Sequence, residues 1–380
     1  MKLEVRRAQL DEFDQATDLI NKVFRTSIKE KPTMAEEFPL LLNKSNIDNM
    51  IVGVKDQEIV TSVNYLIQDV SIQGNLVKVG FVGGVCTHPQ CEGKGFASQV
   101  IQFVENKMIE EDVDVISISG TRSLYTRKNY SMVKSFYKYT VNKKPIDLNL
   151  SLREFEDRDL DRYIHLYNQN STKFLRSKNQ FKTLLDAATI PWGTYSYKKL
   201  SVTKDGDVVG YVVLRIIDEE KRTGKVIEAA LDNKYKADVF TAIANKYELE
   251  YVICHIHTKD YNNHYEGYDK KELDFQGGTL KVINFEKLMN SLKRYFNQYI
   301  EDDLLHSLNF IEENGTYVIE YKKDSVKERY VIKDINELNK LLFENDEKNY
   351  EKLRGLKYIN KFIKGVFPVD FVWTENLNYQ

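Results

Sequence analysis

Short runs of apolar residues divide the first 140 positions into strands and two amphipathic helices. Apolar side chains three and four positions apart predict a helix over 11–24 and a second one whose buried face contains Ala97, Val100, Ile101, Val104 and Met108. Strands are expected over 3–7, 50–54, 59–67, 77–85 and 113–119. Strands that alternate with helices in this way predict an α/β fold with mixed sheets.

The same pattern returns 149 positions later in the chain. Residues 200–212 repeat the apolar and polar order of residues 51–63, with Lys-Asp at the turn in both. A strand over 226–231, a helix over 237–247 and a strand over 251–257 follow, as in the first unit. Gly93 and Gly95 stand between strand and helix in the first unit, whereas residues 232–240 contain no glycine. The segment is either a degenerate second copy or an accidental hairpin resemblance.

A third section begins after Gln276-Gly277-Gly278. Its pattern predicts a strand over 279–283, a single helix over 285–299, a strand after the Asn314-Gly315 turn, and a helix capped by Asp334. The three sections give predicted domain boundaries of 1–145, 146–275 and 276–380, with a linker over 142–145.

Charge and composition exclude several classes of partner. The 380 residues include 55 Lys and Arg against 57 Asp and Glu, so no net field favours nucleic acid or anionic membrane. No run of about 18 apolar residues and no N-terminal apolar signal core occurs. Three cysteines cannot pair evenly. We therefore expect a cytoplasmic protein that binds neither nucleic acid nor membrane.

The strongest chemical signal is the junction after the strand at 77–85. Gly93 and Gly95 precede the helix, and they allow the backbone to approach a ligand where a side chain would collide. Backbone amides at the start of a helix, at the positive end of its dipole, bind phosphate. The full Gly-x-Gly-x-x-Gly pattern is absent because Ser98 stands at the third glycine.

Two motifs resemble those of the GNAT N-acetyltransferase superfamily. Gln90-x-x-Gly93-x-Gly95-x-Ala97 is similar to its acetyl-CoA pyrophosphate loop. Tyr125-x-Arg-x-Asn129-Tyr130 is similar to a downstream segment of the family, in which Asn129 here replaces the usual glycine. The order of the three sections resembles the enhanced intracellular survival (Eis) group. That resemblance implies tandem GNAT-like acyl-CoA N-acyltransferase domains, the second degenerate, followed by an α+β domain similar to sterol carrier protein.

The resemblance also implies which residues bind acetyl-CoA, the expected co-substrate. The backbone of Val85, Cys86 and Thr87 would bind the pantetheine arm and thioester. The pyrophosphate would lie on the amides of a continuous segment, Glu92, Gly93, Lys94, Gly95, Phe96, Ala97 and Ser98. The family often has Arg at the positions of Gln90 and Glu92, so Lys94 is the one cation that the loop supplies here.

The same resemblance gives the expected catalytic residues. Tyr125 would donate a proton to the departing CoA thiolate, since a phenol is protonated at neutral pH. The C-terminal carboxylate of Gln380 would lie near the acceptor amine, as in Eis proteins. For each residue the alternative is purely structural, a buried tyrosine or an exposed tail.

Metal chemistry is weakly indicated by the sequence. Cys86, His88 and Cys91 have metal-like spacing, but the glycine motif already explains this segment and a fourth ligand is missing. His255 and His257 share one strand face, with His264 nearby. We expect no metal site.

We therefore predict an acetyl-CoA-dependent N-acetyltransferase acting on a primary amine of a small, polyamine-like or aminoglycoside-like molecule. Acidic residues in the segment over 26–46 and nearby, Glu30, Glu36, Glu37 and Asp48, would attract a cationic amine or would simply be solvated. The alternative is a non-catalytic acyl-CoA or lipid-binding sensor. A homo-oligomer is expected by resemblance, because Eis proteins form hexamers.

Overall fold

The computed structural model describes residues 2–191, 193, 195–218, 220–259 and 267–378. Strands in these residues form two seven-stranded sheets and one three-stranded sheet. No helix within the described ranges is long and apolar enough to cross a membrane.

Residues 2–133 contain five strands and four helices. They are β1 (Glu4–Arg7), α1 (Phe13–Phe24), α2 (Met34–Glu37), β2 (Met50–Lys55), β3 (Glu58–Ile72), β4 (Asn75–Thr87), α3 (Phe96–Glu110), β5 (Val115–Ile118) and α4 (Ser123–Thr126). All five predicted strands and both predicted helices are present. The buried face of α3 is the predicted one, because Val100, Ile101, Val104 and Met108 are each at most 1% exposed.

The described part of residues 134–275 contains eight strands and three helices. They are β6 (Lys134–Asn142), β7 (Ser151–Glu154), α5 (Leu160–Asn168), β8 (Thr172–Phe174), α6 (Lys178–Ala187), β9 (Tyr195–Lys204), β10 (Asp207–Ile217), β11 (Thr223–Ala230), α7 (Asn233–Lys246), β12 (Tyr251–His257) and β13 (Lys270–Phe275).

The third section contains four strands and five helices. They are β14 (Thr279–Val282), α8 (Phe285–Ser291), α9 (Lys293–Phe296), α10 (Asp302–His306), β15 (Leu308–Glu313), β16 (Thr316–Lys323), β17 (Val326–Ile332), α11 (Ile335–Phe343) and α12 (Lys357–Val366). Asp334 caps α11 as predicted, its side chain accepting from the amide of Asn336. The single helix predicted over 285–299 is wrong, because the chain leaves the α-helix at Leu292 between α8 and α9.

The sheets exchange strands across the sequence. The first sheet has the order β1-β2-β3-β4-β5-β14, with β8 paired to β3, and the second has the order β13-β6-β12-β11-β10-β9-β7. Residues 134–142 thus belong to the second sheet, and residues 279–282 pair with β5 in the first. Sheet membership therefore crosses the predicted boundaries at 145 and 275, and the division into three domains stays a prediction.

The predicted hairpin repeat has matching backbone geometry. The turn residues at the matching positions are all left-handed, with φ of 52° at Asp56, 68° at Gln57, 52° at Asp205 and 91° at Gly206. The strand register then skips one residue in each copy, Val60 in β3 and Val209 in β10. These bulges are also 149 positions apart, so the sequence echo reflects the same local fold.

The first sheet is covered on both faces. One face packs on α3 through residues such as Val82 and Ile116. The other face, including Val79 and Val115, packs against the helices and strands of the third section in one continuous core. Both faces of this sheet are therefore buried in close-packed cores.

Candidate active site

A gap opens in the first sheet next to α3. The parallel pairing of β4 with β5 covers Val79–Val82 against Val115–Ile118. Beyond it, β4 is irregular in its register with β3, and Gly84 has a φ of 58°. Gly83, Gly84 and Val85 on one side and Ile118 on the other line a cavity of ≈ 570 Å³. An extended ligand could therefore lie against the exposed edge of β4.

The glycine loop after β4 has a left-handed backbone conformation that favours glycine. Gly93 and Gly95 have φ of 74° and 76°, and an added Cβ at either would meet no protein atom within 4 Å. Gly95 is the N-cap of α3 and has no side chain to cap it. Within the described chain, the amides of Phe96, Ala97 and Ser98 donate to no protein group. These amides are available to an anion.

The charged side chains of the loop add little to this site. The Lys94 ammonium donates to the carbonyl of Gln90 at 2.9 Å, so it is tied to the loop itself. Glu92 is exposed, and its amide donates to the Pro89 carbonyl at 3.4 Å. Backbone amides and the dipole of α3 are therefore the main attraction for a phosphate.

The end of β4 is held by hydrogen bonds from β3. The Thr61 hydroxyl donates to the carbonyl of Cys86 at 2.7 Å and lies 3.0 Å from the Thr87 hydroxyl. Burial raises the pKa of the Cys86 thiol to about 12, so this side chain is not a nucleophile at neutral pH. Val85 is 6% exposed and lines the cavity.

Tyr125 lies in the same cavity as the β4 edge. It belongs to α4, is 4% exposed, and its ring packs against Gly120, where an added Cβ would come within 2.8 Å of the ring. A glycine at 120 is therefore required for this ring position. Asn129 has a φ of 65°, a left-handed conformation that asparagine tolerates better than most residues, at the position where the family pattern has glycine.

The matching junction of the second sheet is closed to an anion. The N-cap of α7 is Asp232, whose carboxylate accepts from the amide of Lys234 at 3.1 Å. A carboxylate thus occupies the helix start that is open in α3. The C-terminal segment also packs here: the Trp373 ring stacks on His255 with centroids 4.0 Å apart, and Glu375 pairs with Lys225.

The C-terminal segment then crosses to the first sheet. Asn378 is 1% exposed, and its side chain donates to Gln68 at 3.0 Å and accepts from Arg176 at 2.6 Å. Arg176 in turn forms a buried bidentate ion pair with Glu228, at 3.0 and 2.7 Å. Residues 375–377 line the cavity that contains Tyr125. Gln380, the other predicted catalytic residue, lies outside the described residues.

The histidines and cysteines have structural environments. The His88 ring accepts from the amide of Gln90, and His255 contacts Asp274 at 3.1 Å. Burial lowers the pKa of His255 to about 4. His264 lies outside the described part of the chain, in which no group of three or more His, Cys, Asp or Glu side chains could hold a metal ion.

Sequence reasoning missed the wall of the cavity that comes from the second sheet. Arg215 from β10 and Tyr197 from β9 line it, together with Leu184 of α6. These residues are distant in sequence from Tyr125 and carry no motif. The one available signal was the repeat itself, since a second copy packed against the first must cover part of it.

Comparisons with known proteins agree with the geometry. Residues 4–133 match the family model described as acetyltransferase (GNAT) domain. No curated protein matches the chain. Among solved structures, a GCN5-related N-acetyltransferase from Anabaena variabilis is similar over 98% of this chain and 97% of that one, with a TM-score of 0.62 at 12% identity.

Two further structures share the fold at similar distance. A probable N-acyltransferase from Enterococcus faecalis aligns over 88% of this chain and 85% of that one, with a TM-score of 0.58 and 13% identity. Eis1 from Mycobacterium abscessus aligns over 87% and 85%, with a TM-score of 0.52 and 12% identity.

Proposed function

We propose that this chain transfers an acetyl group from acetyl-CoA to a primary amine of a small molecule, because residues 4–133 match the family model described as acetyltransferase (GNAT) domain. One observation carries the proposal: a helix start with unbonded amides and two left-handed glycines follows β4, and Val85 of this strand lines a cavity that also contains the buried Tyr125. The first feature suits the pyrophosphate and the second suits the thioester.

The co-substrate would be held mainly by backbone. In this proposal the pyrophosphate lies on the predicted segment Glu92–Ser98 and accepts hydrogen bonds chiefly from the free amides of Phe96, Ala97 and Ser98. The pantetheine arm lies along Val85–Thr87 beside the gap between β4 and β5. One CoA is expected per chain, because Asp232 closes the corresponding helix start in the second sheet.

Transfer would proceed by direct attack. The neutral amine nitrogen bonds to the thioester carbonyl carbon, and backbone amides near Val85 stabilise the negative charge on the oxygen. The carbon–sulfur bond then breaks, and the Tyr125 hydroxyl gives its proton to the departing sulfur. The proton lost by the amine passes to the Gln380 carboxylate, directly or through water. The Gln380 carboxyl then releases its proton to solvent and Tyr125 takes one up from solvent, which returns both groups to their starting states.

A thiol-release assay with acetyl-CoA and a panel of primary amines tests this function. We expect amine-dependent release of CoA thiol and an acetylated product of matching amount by mass spectrometry. Saturable CoA binding without release for any amine would contradict catalysis and support the alternative, an acyl-CoA or lipid-binding sensor. The predicted homo-oligomeric state and cytoplasmic location stay predictions.

A further inference from the structure

The second sheet contributes one wall of the candidate active-site cavity. Phe24, Arg25 and Glu37 come from the first section, and residues 375–377 from the C-terminal segment. The facing wall consists of second-section residues, namely Leu184, Ala187, Ala188, Ile190, Tyr195, Tyr197, Arg215 and Ile227. A molecule that reaches the β4 edge from this side must contact the second copy.

Both carboxylates that line this cavity already have cationic partners. Glu37 forms a bidentate pair with Arg25, at 2.8 and 2.5 Å, and also accepts from Thr33. The side chains of Arg25 and Glu37 are each 7% exposed, so the pair is fixed. Glu375 pairs with Lys225 of β11. Neither carboxylate is available to attract a cationic acceptor.

Two arginines lining the cavity have no such partner. Arg122 and Arg215 form no ion pair with any residue in the described part of the chain. The Nε of Arg215 is buried without a hydrogen-bond acceptor there. The guanidinium lies 4.9 Å from the Tyr195 ring centroid, and Arg215 stands directly opposite Lys225 in the sheet.

A buried guanidinium donor without an acceptor is costly. An arginine supplies parallel donors that match a carboxylate in two-point contact. The surrounding wall is aromatic and aliphatic, which suits a small organic body rather than a hydrated inorganic ion. A cavity of ≈ 570 Å³ has the size of a small-molecule site.

From this arrangement we infer that Arg215 binds a carboxylate on the acceptor, so that the acceptor is a primary amine that also carries a carboxylate, such as an amino acid or a short peptide. The inference rests on the proposed function. It departs from the polyamine-like acceptor suggested by the sequence, since Glu37 is neutralised by Arg25 and a polycation would meet the unpaired charge of Arg215.

Matched pairs of acceptors test this inference. Phenylalanine is compared with phenethylamine, lysine with cadaverine, and the dipeptide Gly-Phe with its C-terminal amide. Thiol release gives kcat and KM, and calorimetry gives binding to the CoA-loaded protein. We expect each acceptor with a carboxylate to be preferred over its partner without one by about 10- to 100-fold, chiefly through a lower KM or Kd. Comparison of the free amino acids with the dipeptide shows whether the bound carboxylate belongs to an amino acid or to the C-terminus of a peptide.

Variants at Arg215 identify the residue responsible. Arg215→Gln should remove the preference for carboxylate-bearing acceptors. The KM and Kd of the acceptors without a carboxylate, and the affinity for CoA, should not change. Arg215→Lys should keep part of the preference. Arg158→Gln, at a side chain that is 75% exposed in the second section, is the matched control and should change nothing.

Three outcomes separate the hypotheses. Equal binding of acids and amines to the wild-type protein overturns the inference. An Arg215→Gln variant that lowers kcat for acids and amines alike also overturns it, because Arg215 would then serve a group of the chain itself. A carboxylate preference in binding without any thiol release supports the inference and refutes the proposed catalysis.

Discussion

Replacement of Gly95 by valine separates the two properties of the glycine loop, its backbone conformation and its open space. Gly95 has a φ of 76°, where an L-residue costs about 1–2 kcal/mol and a β-branched one more. The added Cβ would meet no protein atom within 4 Å, so the strain arises in the backbone and not from a clash. The loop must either keep its shape at that cost or turn its amides away.

The loss of ligand affinity should exceed this strain. Hydrogen bonds to a charged group contribute about 1.5–3 kcal/mol each. If the loop turns two of the amides among Phe96, Ala97 and Ser98 away from the pyrophosphate, about 3–6 kcal/mol is lost. That corresponds to an increase in Kd of roughly 10²- to 10⁴-fold.

Gly315→Val is the matched control. Gly315 lies in the turn between β15 and β16, has a φ of 71°, and has open space around an added Cβ. Both variants should lose similar amounts of stability in denaturant unfolding. Calorimetric titration with CoA should show one site per chain in the wild type and the Gly315 variant, and none measurable in Gly95→Val. Affinity within threefold of wild type for Gly95→Val would refute the placement of the pyrophosphate.

Three further predictions concern the proton donor, the tail and one buried lysine. Tyr125→Phe should lower kcat by about 10²- to 10⁴-fold at unchanged CoA affinity, and activity within twofold of wild type would contradict this. Removing residues 379–380, but not the buried Asn378, should lower kcat without changing the melting temperature, whereas full activity excludes Gln380 from catalysis. Burial lowers the pKa of Lys259 to about 7, so the unfolded chain binds more protons and stability should rise between about pH 7 and pH 10. In the Lys259→Met variant the midpoint of urea unfolding should rise less with pH over this range. A pH dependence equal to that of the wild type would contradict the prediction.

Local features of this chain were predictable from the sequence. The junction containing Gly93 and Gly95, the left-handed Asn129 and the capping by Asp334 each depend on residues within one turn of each other. The hairpin repeat was also visible, down to bulges 149 positions apart, because a hairpin register is fixed by its own turn.

The helix predicted over 285–299 shows the limit of pattern reasoning. Apolar residues at helical spacing continue through Leu292, but α8 ends at Ser291 and Leu292, with a φ of −88° and a ψ of 3°, separates it from α9. Phe285, Tyr295 and Phe296 are all fully buried in the core shared with the first sheet. Packing against that sheet decided where the helix ends, and helical periodicity contains no information about it.

Partners far apart in the chain were decided only by the tertiary structure. Residues 134–142 could not be assigned to the second sheet, nor residues 279–282 to the first, because pairing of a strand depends on edges formed more than 100 residues away. The same holds for Arg215 and the C-terminal segment, which meet Tyr125 around one cavity. The sequence predicted a site for acetyl-CoA, because amides and glycines act locally. The wall for the acceptor depends on how two sheets and a tail pack together, and such long-range packing leaves no local motif.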